Sequence, residues 1–207
     1  HEGLRVSDPE TLDVAAAVLA GLANKRLVAS LQAADVDAVG LAALDGGIVS
    51  AVPHPDAAVL GAVGAVESVA PSLLETLLER GAVPVLASIG AHGGRLLNLN
   101  ADDLAAAVAP AVRAATLVLS SDTPGLKLEG ALVPALDSAG LAAAIAHPDV
   151  NGGMLPKLRA AQDALQAGVR RVVIASWQGP GTVSRLLAGE ATGTTLTRAS
   201  AKETANG

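Results

Sequence analysis

PKLRAAQDALQAGVRRVVIA, residues 156–175, decides the fold class. A helical stretch from Pro156 to Ala167 leads into Arg171 to Ala175, which reads as a buried strand. The same order recurs on the N-terminal side. Ser72 follows Pro71 and opens Leu73, Leu74, Leu77 and Leu78 at helical spacing, with Gly81 at the stop, and Val83 to Ile89 then reads as a strand. A helix from about Asp102 to Ala114 leads into a strand over Thr116 to Ser120. Repeated helix-to-strand alternation predicts an α/β fold with a mainly parallel central sheet covered by helices.

The flanks fit that frame. Ser7 and Glu10 form a capping box with Pro9 in the first turn, predicting a helix towards Gln32 that carries Asn24 and Lys25. Val36 to Leu41 predicts a short strand, and Asp45-Gly46-Gly47 a turn into a β-hairpin over Ile48 to Val52. A short helix over Val183 to Leu187 should end at Gly189, and the polar tail 198–207 should be loose.

Composition bounds the function. Of 207 residues 51% are hydrophobic, yet Phe and Tyr are absent and Trp177 is the one aromatic, so the core must be aliphatic. A net charge of -6 argues against binding through nucleic-acid phosphates, and the absence of Phe and Tyr removes the usual stacking platforms for single strands. With no Cys, disulfides, thiolate metal sites and Cys nucleophiles are excluded, and a cytoplasmic location is the simplest expectation. Apolar runs such as Leu104 to Val112 are broken by Pro110 and Arg113, short of the roughly 20 residues a membrane span needs. The chain starts at His1 rather than Met and leads at once into a helix, so it is expected to be part of a longer protein.

General motifs fail. Gly152-Gly153-Met154-Leu155-Pro156-Lys157 lacks the second Gly and the hydroxyl of a P-loop, and no GxGxxG follows a predicted strand. His1, His54, His92 and His147 have no metal-ligand spacing, so no protein-held metal is assigned, and Ser184 is not in a GxSxG elbow.

Four polar clusters remain at strand ends and helix starts, where α/β sheets bind ligands. Arg5, within Gly3-Leu4-Arg5-Val6-Ser7-Asp8, lies just before a helix and could hold a carboxylate, or be a surface residue. Asn98-Leu99-Asn100-Ala101-Asp102 offers two amides and a first-turn Asp, or simply an N-cap and a dipole partner. Ser121-Asp122-Thr123-Pro124-Gly125 follows a strand and is either a ligand loop or an ordinary turn. Lys157 near a helix start is more easily explained with an anion beside it, although a solvated Lys fits too.

Taken in order, these clusters resemble the motif series of the N-acetylglutamate kinases within the amino acid kinase family. GLRVSD at 3–8 is similar to that family's GLRVTD, and Gly21 to Lys25 to its helix segment ending in NK. Val39-Gly40-Leu41 with Asp45-Gly46 resembles VGL...DG, Asn98 to Asp102 resembles NxNAD, Ser121 to Gly125 resembles SDxxG, and Gly153 to Lys157 resembles GMxxK. Ile174-Ala175-Ser176-Trp177 and Gly193-Thr194 look like the closing strand and a GT turn.

The resemblance implies a three-layer sandwich, with an N-terminal acyl-amino-acid lobe over residues 1–115 and an ATP lobe over residues 116–197. It implies ATP-dependent phosphorylation of the side-chain carboxylate of N-acetyl-L-glutamate, a homodimer, and neither a nucleic-acid nor a membrane partner. Arg5 and Asn98 would hold the substrate, Asp102 would organise lysines, and Lys157 would stabilise the transferring phosphoryl group. Asp122, Thr123, Pro124, Gly125, Leu126, Lys127, Asp149, Val150 and Asn151 would contact ATP, whose Mg²⁺ is held mainly through the phosphates. The family's KxGG strand and HGGG loop have no counterpart between His1 and Gly207, so this polypeptide by itself is expected to turn over little. The same motifs would fit a kinase for an N-blocked aminoadipate, or a non-catalytic relative.

Overall fold

The computed structural model describes residues 6–190 and 193–198, which fall into two compact units divided between Val112 and Arg113. Arg5 and most of the polar tail lie outside the described residues.

Unit 1 opens with one continuous helical run: α1 (Pro9–Ala16), a π-helical segment (Ala17–Ala23) and α2 (Asn24–Gln32). Asp8, not Ser7, caps it, accepting from the Thr11 N–H at 2.7 Å. Ser7 is instead extended and bridged to Gly61: its N–H donates to the Leu60 carbonyl, and its own carbonyl accepts from the Ala62 N–H. That pairing buries Ser7 and takes it out of the capping role that the sequence suggests.

The wider π turn shifts the helix register before Asn24 and Lys25, and both reach the sheet below. That sheet pairs β1 (Ala38–Ala42) with β4 (Val83–Ala87) in parallel. Buried Asn24 donates from Nδ2 to the carbonyls of Val85 (2.8 Å) and Leu41 (3.3 Å). Lys25 Nζ donates to the Gly40 carbonyl at 3.0 Å and to Asn24 Oδ1 at 3.2 Å. Position 40 must be Gly, because a Cβ there would collide with the Asn24 amide and lie 2.8 Å from Lys25 Nζ. By length and composition alone the 24-residue run Pro9–Gln32 could cross a bilayer, contrary to the sequence expectation. Here its polar pair is engaged with strand carbonyls.

Between those strands come β2 (Val49–Pro53), the short α3 (Ala57–Leu60), β3 (Val63–Val69) and α4 (Ser72–Glu79). The expected single strand over 83–89 is divided: the chain changes sheets at Ser88, and β5 (Ile89–His92) turns through Gly93-Gly94, both at positive φ, into β6 (Arg95–Leu99). An apolar run reads as one strand because periodicity does not register a change of partner. The four-stranded order is β2-β3-β6-β5. Asn100 then caps α5 (Ala101–Ala111), accepting from the N–H groups of Asp102 and Asp103. Ile48, Leu74, Leu97, Leu99 and Leu104 form the aliphatic core.

Unit 2 contains β7 (Thr116–Ser121), the two-residue strands β8 (Lys127–Leu128), β9 (Ala131–Leu132) and β10 (Ala135–Leu136), α6 (Ser138–Ile145), α7 (Met154–Gln166), β11 (Arg171–Ser176), α8 (Thr182–Leu187) and β12 (Thr194–Thr197). Sheet order is β10-β12-β11-β7, with β7 and β11 parallel over their full length. Thr194 starts a strand antiparallel to β11, where the sequence reading had a turn.

Among the described residues four strand pairs are parallel and four antiparallel, and the expected parallel pairing is found in each unit, in β1 with β4, β3 with β6, and β7 with β11. The antiparallel pairs are β2 with β3, β5 with β6, β8 with β9, and β11 with β12. The helix-to-strand steps read from sequence say nothing about such partners.

Gly40→Ala should lower stability by about 1–3 kcal/mol through overpacking against the Asn24 amide. Urea unfolding of G40A, N24A and the double variant checks this: contact between the two sites predicts a double-variant loss smaller than the sum of the single ones.

Candidate functional site

Each unit carries a polar cavity of its own. In unit 1 a cavity of about 360 Å³ is bounded by Val6, Ser7 and Thr11 at the helix start, Val63 of β3, Ser88 at the change of sheets, and Asn98 to Ala101 where β6 passes into α5. Asn98 lies between β3 and β5, paired with Val63 on one side and Ile89 on the other, and its backbone N–H donates to the Ala62 carbonyl. The sheet therefore fixes its side chain, and Nδ2 donates to Ser7 Oγ at 3.1 Å. Ala15, Leu19 and Leu99 supply an apolar wall. Hydroxyls and amides beside aliphatic groups suit a small polar molecule with an acyl arm. Asp102 sits in the first turn of α5, just past the cavity wall, and is not part of its lining.

In unit 2 a cavity of about 370 Å³ lies at the carboxyl end of β7, before the first turn of α7. It brings together Asp122, Thr123, Gly125, Leu126, Lys127, Asp149, Asn151 and Lys157, and adds Ser121 and Gly152 to Met154. Pro124 and Val150 do not line it, and the Val150 side chain is buried. Ser121 Oγ lies within hydrogen-bonding distance of Asp122 Oδ1 (3.3 Å) and Thr123 Oγ1 (3.2 Å), which closes the loop on itself. Asp149 Oδ2 accepts from the Glu129 N–H at 2.7 Å and ties the β8–β9 hairpin to the loop before α7. No side chain caps α7, whose N-cap residue is Gly153, so its first turn presents backbone to the cavity.

Two ammonium groups, a helix N-terminus without a side-chain cap and closely approaching glycine backbone fit a polyphosphate. Among the described residues no three His, Asp or Glu side chains converge as metal ligands. A magnesium ion there would be held chiefly by phosphate oxygens.

Two other cavities suit such ligands less well. One of about 460 Å³ is walled mainly by aliphatic groups, Leu19, Leu27, Leu86 and Leu104 among them, and has no charged side chain. The other, about 970 Å³, is bounded by Leu12, Asp13, His92 and Arg95 and contains none of the candidate residues. Sequence reading missed Ser7, Thr11 and Ser88 as cavity residues. Isolated hydroxyls carry no spacing signal, and Ser7 sat in a convincing cap pattern.

A model of the amino acid kinase family matches residues 1–176. Acetylglutamate kinase from Methanopyrus kandleri is 43% identical over 195 residues, covering 86% of this chain and 76% of the relative. Acetylglutamate kinase from Bacillus cereus strain G9842 is 38% identical over 198 residues, covering 96% of this chain and 76% of the relative. The solved structure of the smu.665 protein of Streptococcus mutans UA159 superposes with a TM-score of 0.80 at 31% identity, covering 95% of this chain and 76% of that one.

The Asp8 carboxyl beside the unit 1 cavity is held below the ordinary carboxylate range, first by the Thr11 N–H and then by the Thr11 hydroxyl. The unfolded chain therefore takes up this proton more readily, so the stabilisation is present above the ordinary carboxylate range and is lost as pH falls through the lowered value. Asp8→Asn keeps a capping oxygen but cannot titrate. The urea-midpoint difference between wild type and D8N, measured at about pH 7 and again at about pH 3, should favour wild type at the higher pH and shrink at the lower.

Proposed function

The chain belongs to the amino acid kinase family, and on that footing we propose that it transfers the γ-phosphoryl group of ATP to the side-chain carboxylate of N-acetyl-L-glutamate, a step of arginine biosynthesis. The observation that carries this reading is the 43% identity to an acetylglutamate kinase over most of both chains. The fold, an α/β arrangement of amino acid kinase type, agrees with it.

In this reading the unit 1 cavity takes the acyl amino acid and the unit 2 cavity takes the nucleotide. Asn98 would hold the amide region of the substrate, with Arg5 on its α-carboxylate. The mixture of hydroxyl, amide and aliphatic groups around Asn98 supports that assignment. Lys157 and Lys127 would lie against phosphate oxygens, with Asp122, Thr123, Gly125, Leu126, Asp149 and Asn151 framing the nucleotide. Pro124 and Val150 would act only by shaping their loops. Asp102 would orient lysines.

The chemistry asks little of the protein beyond position and charge. One carboxylate oxygen of the substrate forms a bond to the γ-phosphorus as the bond from that phosphorus to the β,γ-bridging oxygen breaks, giving an acyl phosphate and ADP. The acceptor is ionised at neutral pH, so no general base and no protein nucleophile is needed. Charge spread over the transferring oxygens is what needs stabilising, and preorganised cations do this best. Magnesium supplies further charge neutralisation on the phosphates when bound.

An aminoadipate substrate differs by one methylene, which shifts discrimination by only about 1–3 kcal/mol. The names of the relatives favour acetylglutamate. A cytoplasmic homodimer completes the proposal: Val14, Val18 and Leu22 are exposed on the first helical run, and pairing of two copies would cover them.

The test is hydroxylamine trapping of acyl phosphate by the full-length protein supplied with N-acetylglutamate and MgATP, which should yield the hydroxamate. No product under saturating substrates would sink the assignment. Lys157→Met should lower kcat by about 10²–10³-fold with little change in KM for N-acetylglutamate. Steady-state kinetics check this, and a change confined to that KM would remove Lys157 from the phosphoryl step.

A further inference from the structure

The buried hydroxyl of Thr194 lines none of the four cavities described above, yet it is bonded to the loop that frames the nucleotide cavity. Its side chain has no solvent exposure. Oγ1 accepts from the Leu126 N–H at 2.8 Å and donates to the Val133 carbonyl at 2.7 Å. The Val133 N–H donates in turn to the Leu126 carbonyl at 2.9 Å. These three bonds close a ring through one hydroxyl. Both backbone groups of Leu126 are satisfied by it, and its side chain is buried as well.

Thr194 is well placed to serve as an anchor. It begins β12, paired with Ile174 of β11 and lying in the sheet between β10 and β11. Gly193, just before it, passes so close to β11 that a Cβ would collide with the Ile174 carbonyl. Gly125 approaches from the loop side, where a Cβ would come within 2.6 Å of Thr194 Oγ1. Chain and loop are thus pressed together at two glycines, with the hydroxyl between them. Gly125, Leu126 and Lys127 line the cavity, and Thr194 stands behind them.

We propose that Thr194 is a positioning residue for nucleotide binding, setting through Leu126 where the 121–127 loop and the Lys127 ammonium meet the phosphates. The proposal rests on the reading of the unit 2 cavity as the ATP site. Thr194→Val keeps the shape but leaves the Leu126 N–H and the Val133 carbonyl without their hydroxyl, so the loop must move to find other partners. Thr194→Ser keeps both bonds.

Calorimetric titration of the full-length protein and these variants with MgATP, and separately with N-acetylglutamate, tests it. T194V should bind ATP about tenfold more weakly or worse, T194S within about threefold of wild type, and N-acetylglutamate should bind all three alike. Equal weakening of both ligands in T194V marks a merely structural Thr194 and overturns the proposal, as does ATP binding unchanged from wild type. Failure of the wild type itself to bind ATP would instead overturn the nucleotide reading of unit 2, and this inference with it. If T194V does not fold, amide exchange on the unaltered protein decides: Leu126 must be among the slowly exchanging amides of unit 2 before ATP is added, and fast exchange there overturns the anchor.

Discussion

Unit 1 depends on the Asn24 amide, which donates at once to the carbonyls of Leu41 and Val85 and so bridges β1 and β4 from above. A buried amide this committed fixes both the height and the rotation of the helix that carries it. The consequence is felt at the far end of the same helical run. Ser7, Thr11, Ala15 and Leu19 contribute to the polar cavity only because the helix lies where Asn24 and Lys25 hold it. The π segment between them is the geometric adjustment that lets one helix meet both demands, presenting its first turns to the cavity and its Asn-Lys pair to the strands. Gly40 completes the arrangement by leaving room where any side chain would intrude.

Unit 2 solves a similar problem with backbone and a hydroxyl. Parallel pairing of β7 with β11 brings Ser121 and Ser176 to the same sheet edge, which is where α/β folds accept ligands. The loop leaving β7 has little regular structure of its own, and besides its internal Ser121 and Thr123 bonds two contacts tie it and the hairpin after it to the rest of the unit. One is the carboxylate of Asp149 on the Glu129 N–H, and the other is the Thr194 ring around Leu126. Rigid elements thus position an irregular segment from behind, leaving its front face polar and accessible.

Much of this was legible in the sequence. Helix starts, the Gly81 stop and the alternation of helix with strand follow from local periodicity and capping chemistry, and the structure places those elements within a few residues of where they read. Part of the lining of the second cavity was legible too, because Asp122 and Lys157 lie in short motifs whose order is characteristic, and Lys127 follows the first of them closely. What could not be read was partnership. Whether Val83 to Ile89 is one strand or two depends on β6, which pairs with β5 and not β4. Ser7 looked like a cap because the capping pattern is local, whereas its bonds to Leu60, Ala62 and Asn98 come from 53, 55 and 91 positions away. The strands β8 to β10 are two residues each, too short for any period to register. Thr194 read as part of a turn, and only the fold reveals what its hydroxyl holds.

An acidic chain that receives two anions poses an electrostatic question, and the unit 2 cavity answers it locally. Net charge sets solubility and long-range steering, but a bound phosphate responds to the groups within a few ångströms of it. Asp149 accepts a backbone N–H with one oxygen, and Ser121 donates to Asp122, so both carboxylates lining this cavity already have protein donors. Lys127 and Lys157 share that lining, together with the N-terminus of a 13-residue helix whose dipole points its positive end at the same place. Two carboxylates and two ammonium groups balance in this lining, so the start of α7 is the further positive contribution a phosphate would meet in a molecule that is negative as a whole. The same logic explains why a kinase acting on a carboxylate can work without His, Cys or Ser in a chemical role: when both reactants are anions, placing positive charge between them is the larger part of the catalysis.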